Sequence, residues 1–339
     1  MKDEKLIERF QNALTGLCPR ISEPLRRLPE PIQREAQEIR LRVGKPVTVC
    51  CRTGTYFLRE DGSPFPLPQG PLFLARKADL EESFRTICCY SVYSHQNEIR
   101  NGYITLRGGH RAGICGTAVY TGGALSGLRD VSSINLRIAR QIDGAADGLF
   151  EALGGAPAQG VLLVGPPACG KTTLLRDMAR RLSVGTLGAF YKVAVVDERS
   201  ELGGTYAGIS QNDLGYCDVL DGYPKGEGIL QAVRCLSPDY IICDEVGSME
   251  DIRSISEGLN AGVRMIASIH AGSLGELLQR SQAKRLLETG AFQKVALLGD
   301  RRSPGSVQGI YKVGELNAEM DRLGIAYRCG DRRGDCGVA

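Results

Sequence analysis

The sequence predicts an α/β protein in two parts: a smaller α+β domain, then a larger domain whose mostly parallel sheet is covered by helices on both faces. After residue 160, short apolar segments alternate with helical ones. Apolar segments such as GVLLVG (160–165) are near-continuous runs, as in strands buried on both faces of a parallel sheet. Before residue 142, polar and apolar residues alternate between glycine-rich turns, which is typical of antiparallel strands.

The larger domain is predicted from its order of strands and helices. Strands are expected at GVLLVG, YKVAVVDE (191–198), DYIICDE (239–245) and VRMIASIH (263–270). Helices are expected at 170–183, 228–236, 249–260 and from 274 onward. The residues between YKVAVVDE and 228 are expected to form a long loop.

The smaller domain is predicted to mix helices with antiparallel strands. Helices are expected at 5–16, 23–36 and 79–99, the last opened by Asp79. A strand pair with a turn at Gly44 and Lys45 is expected over 38–60, and the alternation in GYITLRGGHRAGICGTAVYTGG (102–123) indicates further antiparallel strands.

A stretch rich in glycine and alanine, IDGAADGLFEALGGAPAQ (142–159), indicates a linker with a short helix inside it. The expected organisation is an N-terminal α+β domain over 1–141, the linker over 142–159, a nucleotide-binding domain over 160–328 and a flexible tail over 329–339.

Composition narrows the class of protein. The 339 residues are 42% apolar, which is enough to fill two cores. The net charge of +3 neither requires nor excludes an acidic partner such as nucleic acid or a lipid surface. No run of about 18 apolar residues is present, so a membrane span is not expected. The opening segment MKDEKLIERFQNALTGL is typical of a charged amphipathic helix and not of a signal peptide, so a cytoplasmic protein is expected.

The 12 cysteines are expected to be reduced thiols. Four of them form adjacent pairs at 50–51 and 88–89, and others lie among apolar residues, as small hydrophobic side chains do. Cys329 and Cys336 have no nearby histidine and make a poor zinc site.

The segment GPPACGKT (165–172) fits the phosphate-binding pattern G-x-x-x-x-G-K-[ST], directly after a strand and at the start of a helix. In such a P-loop, backbone N–H groups and the helix N-terminus converge on phosphate oxygens. Lys171 is expected to reach the β- and γ-phosphates of ATP, and Thr172 to ligate Mg²⁺. The alternative is a glycine-rich turn with a solvated lysine. The nucleotide-binding residues expected here are Gly165, Pro166, Pro167, Ala168, Cys169, Gly170, Lys171, Thr172 and Thr173.

An acidic pair follows the apolar run YIIC. Asp244 is expected to complete the Mg²⁺ shell, and Glu245 to activate water as the catalytic base. Without a P-loop upstream, the same pair would be an ordinary helix-capping loop.

Three carboxylates follow the strand VAVV, those of Asp197, Glu198 and Glu201. Carboxylates near a phosphate site suggest catalytic participation, and Glu198 is a second catalytic candidate. The alternative is a solvated strand-end loop held by Arg199. His270 ends VRMIASIH at the sheet edge where ligands bind, so it is expected either to sense the γ-phosphate or to be structural.

The spacing of these motifs resembles that of the type II and type IV secretion ATPases, which include pilus retraction motors. LQAVRCLSPDYIICDEVGSMEDI (230–252) is similar to the family's L-R-x-x-P-D-x-I-x-x-G-E-x-R-D, and SIHAG to its His box. The resemblance implies a RecA-like ATPase core over 160–328. The family has glycine where this chain has Asp244 and arginine where it has Ser248, so the metal arrangement stays open and no role transfers to Ser248.

The N-terminal half of the chain resembles one particular group of such ATPases. EIRLRVGKPV, YSHQNEIRNGYITLRGGHRAGICGTAV and SSINLRIAR, together with VVDERSE, resemble the stage III sporulation AA proteins, ATPases of the channel between mother cell and forespore in endospore-forming bacteria. This resemblance implies a homo-hexameric ring, docked in the mother cell on the cytoplasmic face of membrane-embedded channel components.

Five arginines lie between residues 101 and 140 against the single acid Asp130. In secretion ATPases, arginines of the N-terminal domain help to bind nucleotide, and guanidinium groups suit phosphate. Arg137 and Arg140 are the first candidates here for nucleotide contact, and Arg107 and Arg111 come second. Solvated arginines on strand faces are the alternative.

The expected function is that of a Mg²⁺-dependent ATPase whose cycle moves one domain against the other and powers assembly of, or transport through, a membrane channel. One alternative is a RecA-like nucleic-acid-binding ATPase. Few aromatic residues accompany the arginines for base stacking, so no nucleic-acid partner is expected. A second alternative is a scaffold that binds ATP without hydrolysing it.

Overall fold

A computed structural model of the chain describes residues 2–100, 102–259 and 262–322. The tail expected at 329–339, with Cys329 and Cys336, lies outside the described residues. Across the described ranges, none of the helices combines the length and the apolar character needed to cross a bilayer.

The chain forms two compact units. The first contains the residues up to Gln141 together with Gly203–Asp213. The second contains Ile142–Leu202 and the chain from Leu214 onward. The chain therefore passes between the units three times.

The first unit is an antiparallel sheet with helices packed on one face. Its helices are α1 (Lys2–Ala13), α2 (Pro19–Arg26), α3 (Glu30–Glu35), α4 (Lys77–Ile87) and α5 (Gln96–Arg100). Its strands are β1 (Ala36–Arg42), β2 (Thr48–Cys51), β3 (Thr55–Leu58), β4 (Pro64–Phe65), β5 (Tyr103–Thr105), β6 (Arg111–Thr121) and β7 (Ala124–Arg137). The strand order is β4-β3-β2-β1-β7-β6-β5, and every pairing is antiparallel.

The core of the first unit follows from the period-two alternation of its central strands. Alternate residues of β1, Ile39 and Leu41, are fully buried, and they share one hydrophobic cluster with Phe10 of α1 and Leu80 of α4. The residues between them point to the opposite face of the sheet.

Two helices predicted as continuous are broken in the structure. The helix expected at 23–36 is α2 and α3, separated at 27–29, where Pro29 has an extended backbone. The helix expected at 79–99 ends at Ile87, because Cys89 and Tyr90 have left-handed φ angles of +48° and +60°. Asp79 is the third residue of α4 and not its first, and its carboxylate accepts the N–H of Arg76 at 2.6 Å.

His110 is a fully buried titratable residue in the turn before β6. Its Nδ1 accepts the backbone N–H of Ala139 at 3.0 Å, so the ring hydrogen lies on Nε2. Burial, with the nearby charge of Arg9, lowers the pKa of His110 to about 4. The folded protein therefore holds this histidine neutral at physiological pH.

The first unit is expected to lose stability in acid because of His110. Its pKa is about 4 in the fold and ordinarily 6.5. The unfolded chain therefore takes up the proton first, and stability present above pH 6.5 is lost as the pH falls toward 4. The loss reaches about 3 kcal/mol.

Denaturant unfolding of wild type and His110→Asn at pH 7.5 and pH 5 measures this loss. The asparagine oxygen can accept the Ala139 N–H but does not titrate. The variant should therefore lose less stability between the two pH values than wild type does. An equal loss in both proteins would show that His110 is not responsible.

The second unit is a mostly parallel sheet. Its helices are α6 (Asp147–Leu153), α7 (Lys171–Ser183), α8 (Lys225–Leu236), α9 (Met249–Leu259), α10 (Leu274–Gln279), α11 (Ser281–Glu288) and α12 (Val313–Arg322). Its strands are β8 (Val161–Gly165), β9 (Val193–Asp197), β10 (Asp218–Asp221), β11 (Tyr240–Cys243), β12 (Arg264–His270), β13 (Lys294–Leu298) and β14 (Val307–Lys312). The order is β10-β9-β11-β12-β8-β13-β14, and β14 alone of these strands is antiparallel to its neighbour.

Helices cover both faces of this sheet. In β11, Ile241 and Cys243 belong to one core with residues of α8 and α9, whereas Tyr240 and Ile242 belong to another with residues of α6 and α7. This two-sided burial explains why the central strands are continuous apolar runs.

Residues 142–159, expected as a linker, contribute to the second unit. Their helix α6 buries Leu149 and Phe150 in the same core as Val161 and Leu163 of β8. β10 forms within the stretch expected to be a loop.

The segment Gly203–Asp213 leaves the second unit and is held within the first. The side-chain oxygen of Gln211 accepts the N–H of Gly108 at 2.8 Å, and Arg9 donates to the side chain of Asn212 at 3.2 Å. Gln141 and Asp213 exchange two hydrogen bonds of 3.0 and 2.8 Å. These contacts join residues that are distant in sequence.

Candidate active site

Four parallel strands bring the predicted site residues to one edge of the second unit's sheet. β9, β11, β12 and β8 are adjacent in that order, and all run in the same direction. Their carboxyl ends carry the Asp197 loop, the Asp244–Glu245 pair, His270 and the P-loop. This edge is where ligands bind in open α/β sheets.

The P-loop connects β8, which ends at Gly165, to α7, which begins at Lys171. Gly170 has φ +97°, and a Cβ there would lie 2.9 Å from the backbone nitrogen of Gly305, so only glycine fits. Ala168 also has a left-handed backbone, with φ +62°. Such strained conformations cluster at ligand-binding loops.

Lys171 is buried, with 5% of its surface exposed. Its ammonium donates to the carbonyls of Gly165 and Pro166 at 2.8 and 2.9 Å, and to Nδ1 of His270 at 2.9 Å. Burial lowers the pKa of Lys171, against the opposing charges of nearby acidic groups. The ammonium group of Lys171 is therefore hydrogen-bonded to acceptors of the protein itself.

Thr172 and Asp244 are in direct contact. The threonine hydroxyl donates to Oδ2 of Asp244 at 2.5 Å, and Oδ1 accepts the hydroxyl of Ser268 and the N–H of Glu245. Two side-chain oxygens, one from α7 and one from the residue that follows β11, therefore lie side by side, and oxygen is the donor that Mg²⁺ prefers. The residues present fit a magnesium site.

Glu245 is held between a histidine and an arginine. Its Oε1 lies 2.7 Å from Nε2 of His270, and its Oε2 accepts a hydrogen bond of 2.9 Å from Arg199. Because an ammonium can only donate, Nδ1 of His270 accepts from Lys171 and Nε2 carries the hydrogen given to Glu245. A continuous chain runs from Lys171 through His270 to Glu245.

The charge state of Glu245 suits a base. Burial raises its pKa, but the hydrogen bond from His270 and the charges of Arg199 and Lys171 outweigh that effect and hold it below the ordinary value of 4.5. Glu245 is therefore ionised at neutral pH. Its backbone has φ +52°, a strained conformation for a non-glycine residue.

The three carboxylates of the Asp197 loop have different environments. Asp197 is buried, with 3% exposed, and accepts the N–H of Glu201 at 2.8 Å, so it shapes the loop. The backbone carbonyl of Glu201, and not its carboxylate, accepts two hydrogen bonds from Arg176 of α7. Glu198 pairs with Lys225. Glu198 and Glu201 line one cleft together with Asp197, Arg199, Lys225, Asp244 and Glu245.

The four arginine candidates belong to the first unit. Arg137 and Arg107 are exposed, whereas Arg111 stacks on the ring of Tyr103, 3.6 Å from its centroid. Arg140 donates to the carbonyls of Arg34 and Ala36 at 2.5 and 2.8 Å. The Arg140 guanidinium thus supports the backbone of its own unit, and nucleotide contact by these arginines stays a prediction.

Sequence reasoning missed Ser268 and Lys225. Ser268 is fully buried and lies two residues before His270, on the same face of β12. It is the polar residue within the apolar run MIASI (265–269) of this strand, and that signal can be read from the sequence. Lys225 lies in PKGEG (224–228), which carries no motif in the sequence.

The sequence matches the protein family described as sporulation stage III, protein AA, over residues 12–316. The chain belongs to this family. It is 39% identical over 303 residues to the stage III sporulation protein AA of Bacillus subtilis (strain 168), which covers 88% of this chain and 94% of that protein. The resemblance noted in the sequence is confirmed.

Two solved structures share the fold. The pilus retraction motor PilT with bound ADP is 15% identical, with a TM-score of 0.53 over 85% of this chain and 84% of that one. The ATPase DotB of Yersinia pseudotuberculosis is 14% identical, with a TM-score of 0.52 over 85% and 82% of the two chains. The α/β architecture with a preceding α+β domain, predicted from the sequence, is confirmed.

Proposed function

We propose that this member of the family is a Mg²⁺-dependent ATPase that works as a secretion-type motor. One observation carries the proposal: Lys171 of the P-loop, His270 and Glu245 form a hydrogen-bonded chain beside the Thr172–Asp244 contact. A phosphate-binding lysine, two oxygen ligands for a metal and an ionised carboxylate are the groups that phosphoryl transfer to water requires.

Each residue has a distinct role in this proposal. The P-loop backbone from Gly165 to Thr173 and the N-terminus of α7 bind the phosphates. Thr172 and Asp244 hold Mg²⁺, which supplies charge compensation to the phosphate oxygens when bound. Glu245 orients and deprotonates the attacking water, with Glu198 as a second carboxylate in the same cleft.

His270 reports the presence of the γ-phosphate. In this structure the ammonium of Lys171 is engaged by His270 and two loop carbonyls. Phosphate oxygens compete for that same ammonium. Nucleotide binding therefore weakens or removes the hydrogen bond from Lys171 to Nδ1 of His270. Because the other ring nitrogen bonds Glu245, the change reaches the catalytic carboxylate.

Family membership supports a proposal for the biological role. We infer that ATP turnover powers assembly of, or transport through, a membrane channel during endospore formation. The protein is proposed to act as a hexamer at the cytoplasmic face of the mother-cell membrane. The arginine candidates of the first unit, above all Arg137, are proposed to contact nucleotide.

The test pairs a phosphate-release assay with size-exclusion chromatography and light scattering. With ATP and Mg²⁺, wild type should release phosphate, EDTA should stop the release, and ATP should shift the protein to a hexamer. A protein that stays monomeric and releases no phosphate under these conditions would contradict the motor proposal. Phosphate release by a protein that stays monomeric would contradict only the proposed hexameric ring and not the ATPase activity.

A further inference from the structure

Lys225 is an unusual residue for its position. It is the first residue of α8, and its side chain is only 10% exposed. Burial disfavours an ammonium group, and a positive charge at a helix N-terminus faces the positive end of the helix dipole. A buried lysine at such a position requires an anionic partner.

That partner is Glu198 of the cleft. Nζ of Lys225 lies 2.5 Å from Oε2 of Glu198. Burial lowers the pKa of Lys225, but the hydrogen bond to Glu198 and the charge of Asp251 outweigh burial, so its pKa lies above the ordinary value. The contact is therefore an ion pair.

The backbone of α8 is packed so that the two residues meet. A Cβ at Gly228 would lie 2.5 Å from Cγ1 of Val196, in the strand that leads to Glu198. Glycine at this position allows the first turn of α8 to lie directly on the end of β9. The ammonium is thus fixed by a helix rather than by a mobile loop, which favours a defined position for its partner.

Glu198 is partly exposed at the cleft, where its side chain keeps 39% of its surface accessible. Asp244 and Glu245 line the same cleft. A flexible glutamate at such an edge can adopt many rotamers, and the Lys225 contact selects one of them. An ion pair of this kind adds little stability relative to apolar side chains of the same size, so its main effect is expected on function.

We propose that Lys225 is a positioning residue for catalysis: it fixes the carboxylate of Glu198 at the cleft beside Asp244 and Glu245, and so raises the rate of ATP hydrolysis without touching nucleotide. The inference rests on the proposed ATPase function. It also explains why three carboxylates can lie at the end of β9 and in the loop after it, at a site for anionic phosphates, because Lys225 and Arg199 compensate two of the cleft's negative charges.

The test compares full-length wild type with Lys225→Met, Lys225→Arg, Glu198→Gln and the double variant Lys225→Met/Glu198→Gln. Phosphate release gives kcat and KM, a fluorescent ATP analogue gives the Kd, and thermal unfolding reports folding. Lys284→Met is the matched control, since Lys284 of α11 is a largely buried lysine near a glutamate, outside the cleft.

Lys225→Met is expected to lower kcat by about 10- to 100-fold. The Kd for the analogue should change by less than about threefold, because Lys225 does not touch nucleotide. Lys225→Arg should recover part of the rate, and Lys284→Met should match wild type. The double variant should be no slower than Glu198→Gln, since Lys225 acts through Glu198.

Wild-type kcat in folded Lys225→Met would overturn the inference while leaving the ATPase proposal in place. A double variant clearly slower than Glu198→Gln would also overturn the inference that Lys225 acts through Glu198. If Lys225→Met alone does not fold, this comparison between the double variant and Glu198→Gln is the test. If wild type itself releases no phosphate, the proposed function is contradicted and the inference falls with it.

Discussion

Replacement of Lys171 by alanine is expected to abolish ATP turnover, with a loss of at least about 100-fold in kcat/KM. Lys171 is the cation of the P-loop, and its ammonium already contacts the loop carbonyls and His270. Its removal takes away the charge that is proposed to contact the β- and γ-phosphates. It also leaves His270 without the donor that faces Nδ1. Phosphate release under saturating Mg²⁺ measures the effect.

The fold should survive this substitution. Lys171 contributes to neither of the two hydrophobic clusters that cover the faces of the surrounding sheet. Lys284→Ala, on α11, is the matched control and should keep wild-type turnover. Full turnover by folded Lys171→Ala would remove the P-loop from the mechanism.

Glu245→Gln is expected to lower hydrolysis by about 10²- to 10⁴-fold while ATP binding is retained. The amide keeps the size of the side chain, but its single carbonyl oxygen replaces only one of the two oxygens that accept from His270 and Arg199, and it cannot take a proton from water. The variant should therefore hold ATP unhydrolysed. Light scattering should then show a larger oligomer that persists with ATP, because the nucleotide proposed to stabilise the ring is not consumed.

Glu257→Gln is the control for this substitution, because Glu257 is an exposed glutamate of α9. It should leave turnover and oligomeric state unchanged. If Glu245→Gln hydrolyses ATP at the wild-type rate, Glu245 is not the base, and Glu198 becomes the first candidate.

The central site was largely predictable from the sequence because its residues follow buried strands. A strand covered on both faces must be a continuous apolar run, so the polar residues that end it are conspicuous. Asp244, Glu245 and His270 were found in this way, and the structure brings them together with Lys171. Their roles in hydrolysis remain predictions.

Edge elements were harder to predict. β10 lies at the edge of its sheet, and its sequence DVLD offers only two apolar residues between two acids. An edge strand is buried on fewer sides, so it lacks the apolar run that marked β9 and β11. The break after α4 depends on left-handed backbones at Cys89 and Tyr90, which neither residue type favours.

Long-range contacts could not be predicted at all. The assignment of Gly203–Asp213 to the first unit depends on hydrogen bonds such as that from Gly108 to Gln211, across more than 100 residues of sequence. The pairing of Lys225 with Glu198 depends on the close approach of α8 to β9. Neither contact leaves a local pattern in the sequence.

Phosphate release from ATP by the wild-type protein, measured against Lys171→Ala as background, tests the central claim most directly. The account predicts release by wild type above that background, lost when EDTA removes Mg²⁺. Release by wild type no greater than that by Lys171→Ala, with both proteins folded and ATP saturating, would contradict it.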